Sequence, residues 1–332
     1  MRNKKVIFSV NTQLKKVSGV EKVTMDIHHA IRDDYDAKIV GNIPFSKIPT
    51  DLNINSNEYI RFCNPFMFKD SVVFVHERKL LVLFWVLNTF FFQKIEIIYV
   101  HHNIFHSLRM FTVIPSTVVS ISDRVTANLT DYFKVPKNNI HKIYNCVQDI
   151  NPVPHKICET NNIIILYPAR INDTKRQLEI VSHLSGKINR NVRILFAGTG
   201  PLFNQLKSLV KDEPQFDCLG HRKDVHELLQ KADYMLLFSK HEGLPITLIE
   251  ATMCGTPIIC NDVGGNTEIA QNGKNAFVVN DWESLIQTIN RLDNVTATDY
   301  TSMSREGRNI YEKNFRFETF KRAYLDLIDS IL

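Results

Sequence analysis

Short β-branched and aliphatic runs alternate with stretches of helical spacing along almost the whole chain of 332 residues. In the first half the apolar runs predict strands at residues 5–10, 37–40, 71–76, 95–101, 117–122 and 140–147, with helices between them, including 19–31 and 124–133. In the second half strands are expected at 163–167, 192–197, 216–219, 234–238, 257–260 and 276–279, again separated by helical patterns. A parallel strand pair needs a long crossover, so this alternation predicts parallel sheets flanked by helices. The fold class is α/β, and two doubly wound domains facing each other across a cleft is the economical architecture.

A single core rarely grows beyond about 250 to 300 residues, which favours two domains at this length. The rhythm breaks at residues 145–162, a polar segment with two prolines that serves as the linker. The expected division is 1–150 and 151–310, followed by a closing helix at 311–332. In that helix Phe317, Phe320, Tyr324, Leu327, Ile328 and Ile331 recur on one face, which suits packing back on the N-terminal domain.

One apolar stretch stands apart. "LLVLFWVLNTFFF", residues 80–92, is interrupted only by Asn88 and Thr89. It is shorter than the roughly 20 residues that a spanning helix needs, so it is read as a buried helix or an interfacial one. Arg78, Lys79 and Lys94 flank it, and the interfacial alternative would suit an anionic membrane surface.

Composition narrows the class. Apolar residues at 44% and charged residues at 23% are those of a globular protein with real cores, so disorder is not a serious reading. The six cysteines form no C-x-x-C pair, which points to a reducing cytosol and against zinc. Near the N-terminus the apolar run 6–10 is too short for the core of a signal peptide and reads as a first strand, so a cytoplasmic chain is expected. The net charge of +5 fits an anionic substrate or membrane surface, but no basic stripe interleaved with aromatics supports nucleic-acid binding.

The chemistry concentrates in the second half. In "HEGLPITLIEATMCGTP" Glu242 follows a buried strand and Glu250 falls inside the next helix, with Pro245 near its start. The two carboxylates can bracket an extended polar ligand centred on the helix N-terminus, where backbone N–H groups and the dipole favour phosphate. They could equally be a capping acid and a surface helix residue. "LYPARINDTKRQ" puts Arg170 at a strand exit and Lys175 at the mouth of a helix, two cations where a diphosphate would arrive. "LFAGTGP" turns at Gly198 and Gly200, allowing close backbone approach to a ligand, yet it lacks the third glycine of G-x-G-x-x-G, which disfavours a dinucleotide oxidoreductase. Asp34 and Asp36 have D-x-D spacing but fall away from the strand exits, and the adjacent pairs His28–His29 and His101–His102 lack ligand spacing, so no metal site is expected.

The order of Arg170 and Lys175, "AGTGP", Glu242-x7-Glu250 and "GTPIICNDVGGNTE" resembles the retaining, nucleotide-sugar-dependent glycosyltransferases with the two-Rossmann GT-B fold, family 4, over residues 163–279. In the N-terminal half "VSGVEKVT" is similar to the family's glycine-rich first loop, with Ser18 where a second glycine is frequent. "YVHHN" is similar to its histidine-bearing strand, and "YNCVQD" to its Asn-Gly-Val-Asp turn with Cys146 in place of glycine.

The resemblance implies two Rossmann-like domains and a sugar transfer that retains anomeric configuration without metal or bound cofactor. The donor would be a nucleotide-diphosphate sugar, carrying UDP or GDP, and the acceptor a glycan or lipid-linked sugar of a bacterial surface polysaccharide. It implies that Arg170 and Lys175 neutralise the departing diphosphate and that Glu250 holds the ribose hydroxyls. Glu242, with the backbone of Gly243, Leu244 and Pro245, would contact the donor sugar. Gly19 would admit the donor phosphates, with Gly198 and Gly200 at the nucleotide, and His101 would sit near the reacting carbon or its phosphate. Such an enzyme would work in the cytoplasm or on the inner face of the membrane. A GT-B-like scaffold that binds nucleotide without turnover, motivated by Ser18 and Cys146, and a nucleotide-sugar epimerase are the alternatives.

Overall fold

The computed structural model describes residues 5–12, 14, 19–153 and 162–332, so Ser18 and part of the linker lie outside the described residues. The chain divides into two compact units, Met1–Cys146 with Phe317–Leu332, and Val147–Arg316.

The first unit contains strands β1 (Ile7–Val10), β2 (Ala37–Gly41), β3 (Tyr59–Arg61), β4 (Val72–Val75), β5 (Glu96–His101), β6 (Thr117–Ser120) and β7 (Ile140–Lys142). They form one sheet in the order β3-β2-β1-β4-β5-β6-β7, and every pair is parallel. The central strands β1 and β4 are buried at every residue, which is why they read as unbroken apolar runs. Helices α1 (Gly19–Ile31), α2 (Leu81–Phe91) and α3 (Asp123–Ala127) cross between strands.

The second unit repeats the plan with β8 (Ile163–Pro168), β9 (Val192–Ala197), β10 (Phe216–Gly220), β11 (Tyr234–Leu237), β12 (Ile258–Cys260) and β13 (Ala276–Val278). Its order is β10-β9-β8-β11-β12-β13, all parallel. The connecting helices are α4 (Gln177–Leu184), α5 (Phe203–Leu209), α6 (Val225–Lys231), α7 (Ile246–Cys254), α8 (Asn266–Ile269), α9 (Trp282–Asn290) and α10 (Ala297–Asn314). In both sheets the winding reverses beside the first strand, between β1 and β4 and between β8 and β11. Crevices outside the carboxyl ends of such strands are where doubly wound sheets bind ligands.

The last helix, α11 (Phe317–Ile331), belongs to the first unit and lies against α1. Phe320, Tyr324, Leu327 and Ile328 are buried, and the Tyr324 ring meets Phe74 of β4 edge to face at 5.8 Å. Lys321 pairs with Asp34 at 3.1 Å, and Lys38 with Asp36 at 2.9 Å, so lysines hold both carboxylates of the D-x-D pair.

Four local features differ from the sequence expectation. β3 was not anticipated, because it is a three-residue edge strand in which only Tyr59 is buried. The helix expected through 133 is α-helical only to Ala127 and continues as a π turn over Asn128–Tyr132, closed by the Phe133 amide on the Asn128 carbonyl at 3.2 Å. The strand expected at 140–147 ends at Lys142. The apolar stretch is not wholly buried: Leu81, Phe84 and Leu87 of α2 are buried, while Val82, Trp85, Phe90, Phe91 and Phe92 are exposed.

Four enclosed histidines, His28, His76, His101 and His102, tie the first unit to pH. Burial lowers the pKa of His28 and His101 from 6.5 to about 4 and that of His76 to about 3. Glu58 opposes the shift at His28, whereas Arg32 and His29 add to it. A histidine held neutral in the fold binds fewer protons than in the unfolded chain, so its contribution is present above the unfolded pKa and is lost as pH falls toward the folded one. Thermal stability should therefore fall between pH 6.5 and 5, before carboxylates dominate, and His28→Gln with His101→Gln should flatten that slope in scanning calorimetry. An unchanged slope in the double variant would mean that the rings are not enclosed in solution.

Candidate functional site

The switch point of the second unit gathers the residues singled out in sequence. β8 ends at Pro168 and β11 at Leu237 in neighbouring positions of the sheet, so their exit loops lie side by side. The β8 loop passes through Arg170 to a 3-10 turn, Asp173–Lys175, that Asn172 caps by accepting the Lys175 amide at 3.0 Å. The β11 loop carries Glu242 and ends on Pro245, the N-cap of α7 rather than its first helical residue. Nζ of Lys175 donates to Oε1 of Glu242, and side-chain exposures of 19% and 9% leave this ion pair only partly solvated. A charge-assisted contact at that depth contributes about 1.5–3 kcal/mol, more than a surface pair.

Tyr167 aligns the two loops from below. Its buried hydroxyl donates to the Lys175 carbonyl at 2.6 Å and accepts the Phe238 amide at 3.3 Å. Burial holds its pKa well above the ordinary phenol value, with the nearby Glu242 charge adding to the shift. Beside Lys175, Arg176 adopts left-handed backbone at φ 58°. Its guanidinium covers Trp282 at 4.3 Å and Phe238 at 5.0 Å, and it pairs with Glu179 at 3.0 Å. Cation–π contacts of this kind contribute about 0.5–2 kcal/mol, comparable to the cost of the left-handed residue.

Three glycines bring loop backbones together. A Cβ on Gly198 would fall on the carbonyl oxygen of Ala169, and one on Gly200 on that of Ile171, so the β9 exit loop can lie along the β8 loop only without side chains. Gly264, at φ +57°, stands in the same relation to the carbonyl of Glu242. The next amide, that of Gly265, donates to the Gly243 carbonyl at 2.8 Å. The loop after β12 thus clamps the Glu242 turn, and Asn261 fastens its base by accepting the Ser239 amide at 3.0 Å and donating to the Ser239 carbonyl at 2.7 Å.

Glu250 is the fifth residue of α7, about 6 Å along the axis from its start. It is partly exposed and lies 3.3 Å from Nε2 of His226 on α6. Pro245, the N-cap of α7, supplies no side-chain cap, and Gly243, Leu244 and Pro245 are buried beneath the helix start. Arg170 is exposed, with its carbonyl accepting Nε2 of Gln177 at 3.1 Å and no ion-pair partner for its guanidinium among the described residues. The arrangement is one free cation, one lysine held by a carboxylate, an uncapped helix start and a second carboxylate one turn further on.

The first unit places its candidates at its own strand exits. Gly19 opens α1, and a Cβ there would have nothing within 4 Å, so no packing among the described residues requires glycine. The Thr12 amide after β1 donates to Oε1 of Glu77 after β4 at 2.6 Å, bridging that switch point. His101 ends β5 with its ring fully enclosed rather than facing outward. Nδ1 lies 3.0 Å from the Tyr99 hydroxyl, Nε2 lies 3.4 Å from Oδ1 of Asn128, and the rings of Phe105 and Phe133 pack edge-on against it. Asn128 in turn exchanges two hydrogen bonds with the backbone of Phe105, at 2.9 and 3.0 Å. His102 stacks on His76, with ring nitrogens 3.0 Å apart.

Sequence reasoning brought Arg170, Lys175, Glu242 and Glu250 to one sheet edge and missed the residues that hold them. Tyr167, Asn261 and Trp282 look like core residues in a one-dimensional reading. Gly264 did carry a signal, since the doubled glycine of "NDVGGN" sits in a strand exit, but its partner is visible only in three dimensions.

Two doubly wound parallel sheets of this kind are the plan of the GT-B fold. A crystal structure of Anabaena HepE in complex with UDP superposes with a TM-score of 0.82 over 98% of this chain and 100% of that one, at 18% identity. Residues 151–309, most of the second unit, match the family described as Glycosyl transferases group 1. Among curated relatives, the N-acetyl-alpha-D-glucosaminyl L-malate synthase of Bacillus anthracis is 28% identical over 186 residues, 52% of this chain and 49% of that protein. The UDP-Gal:alpha-D-GlcNAc-diphosphoundecaprenol alpha-1,3-galactosyltransferase of Escherichia coli is 28% identical over 144 residues, 40% of this chain and 37% of that protein. The chain thus spans about half, or less, of the length of these curated relatives.

The two classes of glycine should separate in experiment. Gly264→Ala must displace the Glu242 turn and should cost about 1–3 kcal/mol of stability. Gly19→Ala, at an open helix start, should be neutral or slightly stabilising. Thermal melts of the two variants decide this, and equal losses would contradict the assignment.

Proposed function

We propose that this protein is a glycosyltransferase that moves a sugar from a nucleotide-diphosphate sugar to a glycan or lipid-linked acceptor in bacterial surface polysaccharide assembly. The observation that carries the reading is the Lys175–Glu242 pair at the switch point, with Glu250 one turn into α7 behind it. UDP is the favoured nucleotide, because the HepE structure holds UDP and the Escherichia coli relative is named for a UDP-sugar. The name of that relative also specifies a diphosphoundecaprenol acceptor, which supports a lipid-linked one here.

On this reading the diphosphate settles against the uncapped start of α7. Arg170 meets it directly, and Lys175 exchanges Glu242 for a phosphate oxygen. Stabilising charge as it develops on the leaving diphosphate is the electrostatic work that speeds the reaction, and two fixed cations supply it without a metal. Glu242, released from the lysine, turns to the hydroxyls of the donor sugar beside the backbone of Gly243, Leu244 and Pro245. Glu250 takes the ribose diol, and Gly198 and Gly200 let the nucleotide lie against backbone. His101, enclosed, contributes by holding Asn128 and the turn at Phe105. Transfer with retention follows if the acceptor hydroxyl attacks from the face the diphosphate leaves, a donor phosphate oxygen taking its proton.

Thermal stabilisation by UDP, GDP and ADP, each with and without a divalent cation, tests the reading on wild type and Glu250→Gln together. A ligand at 100 times its Kd adds about 2.7 kcal/mol, so a binder is visible. UDP should stabilise the wild type without metal and lose most of that effect in Glu250→Gln, while Lys175→Ala should lower sugar transfer by about a hundredfold or more. Nucleotide binding with neither sugar release nor transfer would make the protein a scaffold. Conversion of the sugar nucleotide without any acceptor would make it an epimerase.

A further inference from the structure

We propose that the face of the first unit formed by α2 and the turn Arg109–Phe111 is an insertion surface for the headgroup interface of an anionic lipid leaflet. α2 turns Leu81, Phe84 and Leu87 inward, which leaves Val82, Trp85, Phe90 and Phe91 in water. Trp85 meets Phe90 edge to face at 5.9 Å, and Phe66 meets Phe91 in the same manner at 5.3 Å, so the aromatics form two pairs joined through the adjacent Phe90 and Phe91. Just before α2, Arg78 donates to the Ser107 carbonyl at 2.9 Å, which fixes the neighbouring turn at that end of the helix. That turn exposes Met110 at 95% and Phe111 at 78%.

Backbone conformation argues that these side chains are not there for the fold. Phe92 closes α2 in the left-handed region at φ 49°, and Leu108 enters the turn at φ 61°. Both are positions where glycine carries no steric cost. Instead each holds a large apolar side chain, 77% and 59% exposed, at an end of the cluster. Exposed apolar surface combined with unfavourable backbone marks an interaction site rather than a packing solution.

Charge identifies the occupant. The first unit has 21 Lys and Arg against 15 Asp and Glu, and the second has 19 against 20, so the positive charge of the chain resides in the unit that bears the cluster. At the cluster margin Lys69, Lys79, Lys94 and Arg109 stand with Asp70, Glu77 and Glu96, and Lys79 pairs with Glu77 at 2.8 Å, so the attraction comes from the unit as a whole. A second copy would bring a unit of the same net charge, whereas an anionic leaflet carries the opposite one. α2 has eleven residues, about 16 Å, and among the described residues no helix is long and apolar enough to cross a bilayer. Aromatic side chains at headgroup depth fit that length.

The proposal goes beyond the transfer reaction, because binding is read without nucleotide or sugar. The test is co-sedimentation of the full chain with vesicles of equimolar phosphatidylglycerol and phosphatidylcholine, and with phosphatidylcholine alone, at low and high salt. The wild type should bind the anionic vesicles and lose several-fold in affinity on removal of phosphatidylglycerol or addition of salt. Phe92→Gly with Leu108→Gly should keep or raise Tm and weaken binding about tenfold or more. If the glycine pair lowers Tm, Met110→Ser with Phe111→Ser carries the same comparison from more exposed positions. No wild-type binding, or equal binding by the variants, overturns the proposal. A wild-type dimer that the variants dissociate, with no vesicle binding, overturns it in favour of a second copy.

Discussion

The ion pair between Lys175 and Glu242 is the interaction around which the second unit is arranged. Each partner sits on a different loop, and the loops meet because β8 and β11 are neighbours at the point where the sheet reverses. Either charge left without its partner would be only partly solvated at that depth, which is costly. Paired, each holds the other aimed. On the proposed reading this solves a problem of preorganisation: the lysine already points to where a diphosphate arrives, and the incoming anion replaces one carboxylate with another negative group. The exchange is close to neutral in charge, and the carboxylate it frees faces the sugar.

Such an exchange needs loops that do not relax when the pair opens. Tyr167 bonds to both, to the Lys175 carbonyl and to the Phe238 amide, from a ring with no exposed surface. The left-handed Arg176 is held by two aromatic rings, and the Glu242 turn is pressed under Gly264. None of these supports reaches the front of the site, so the lysine and the glutamate can change partners while their backbones stay fixed.

How much of this was legible follows from how local each feature is. α1 and β9 have the bounds their apolar spacing predicts, because where an apolar run begins and ends is written directly into the sequence. Arg170, Lys175, Glu242 and Glu250 were legible as a group because strand exits in a parallel sheet share one edge, so order along the chain translates into position. Tyr167 was not, since its acceptor and donor lie eight and 71 residues away and a buried tyrosine in an apolar run reads as core. The π turn at Asn128 was hidden for the same reason: what an asparagine does inside a helix depends on the His101 ring and the Phe105 backbone, and neither is a helical neighbour.

Glycine shows why residue type alone underdetermines role. Gly264 and Gly19 are the same letter in motifs of similar appearance, yet the first touches a carbonyl that permits no Cβ and a Cβ on the second would meet nothing within 4 Å among the described residues. A glycine required by packing says nothing about ligands. A glycine that packing does not require, at the start of a helix where it weakens the helix, needs another reason, and close approach of a ligand is one that chemistry supplies. Phe92 and Leu108 are the converse case, large residues where glycine would be easier. In both cases the departure from what the fold alone would select lies at the surface of the first unit, the basic one, while in the second unit Arg176 and Gly264 take up left-handed backbone beside the charged pair.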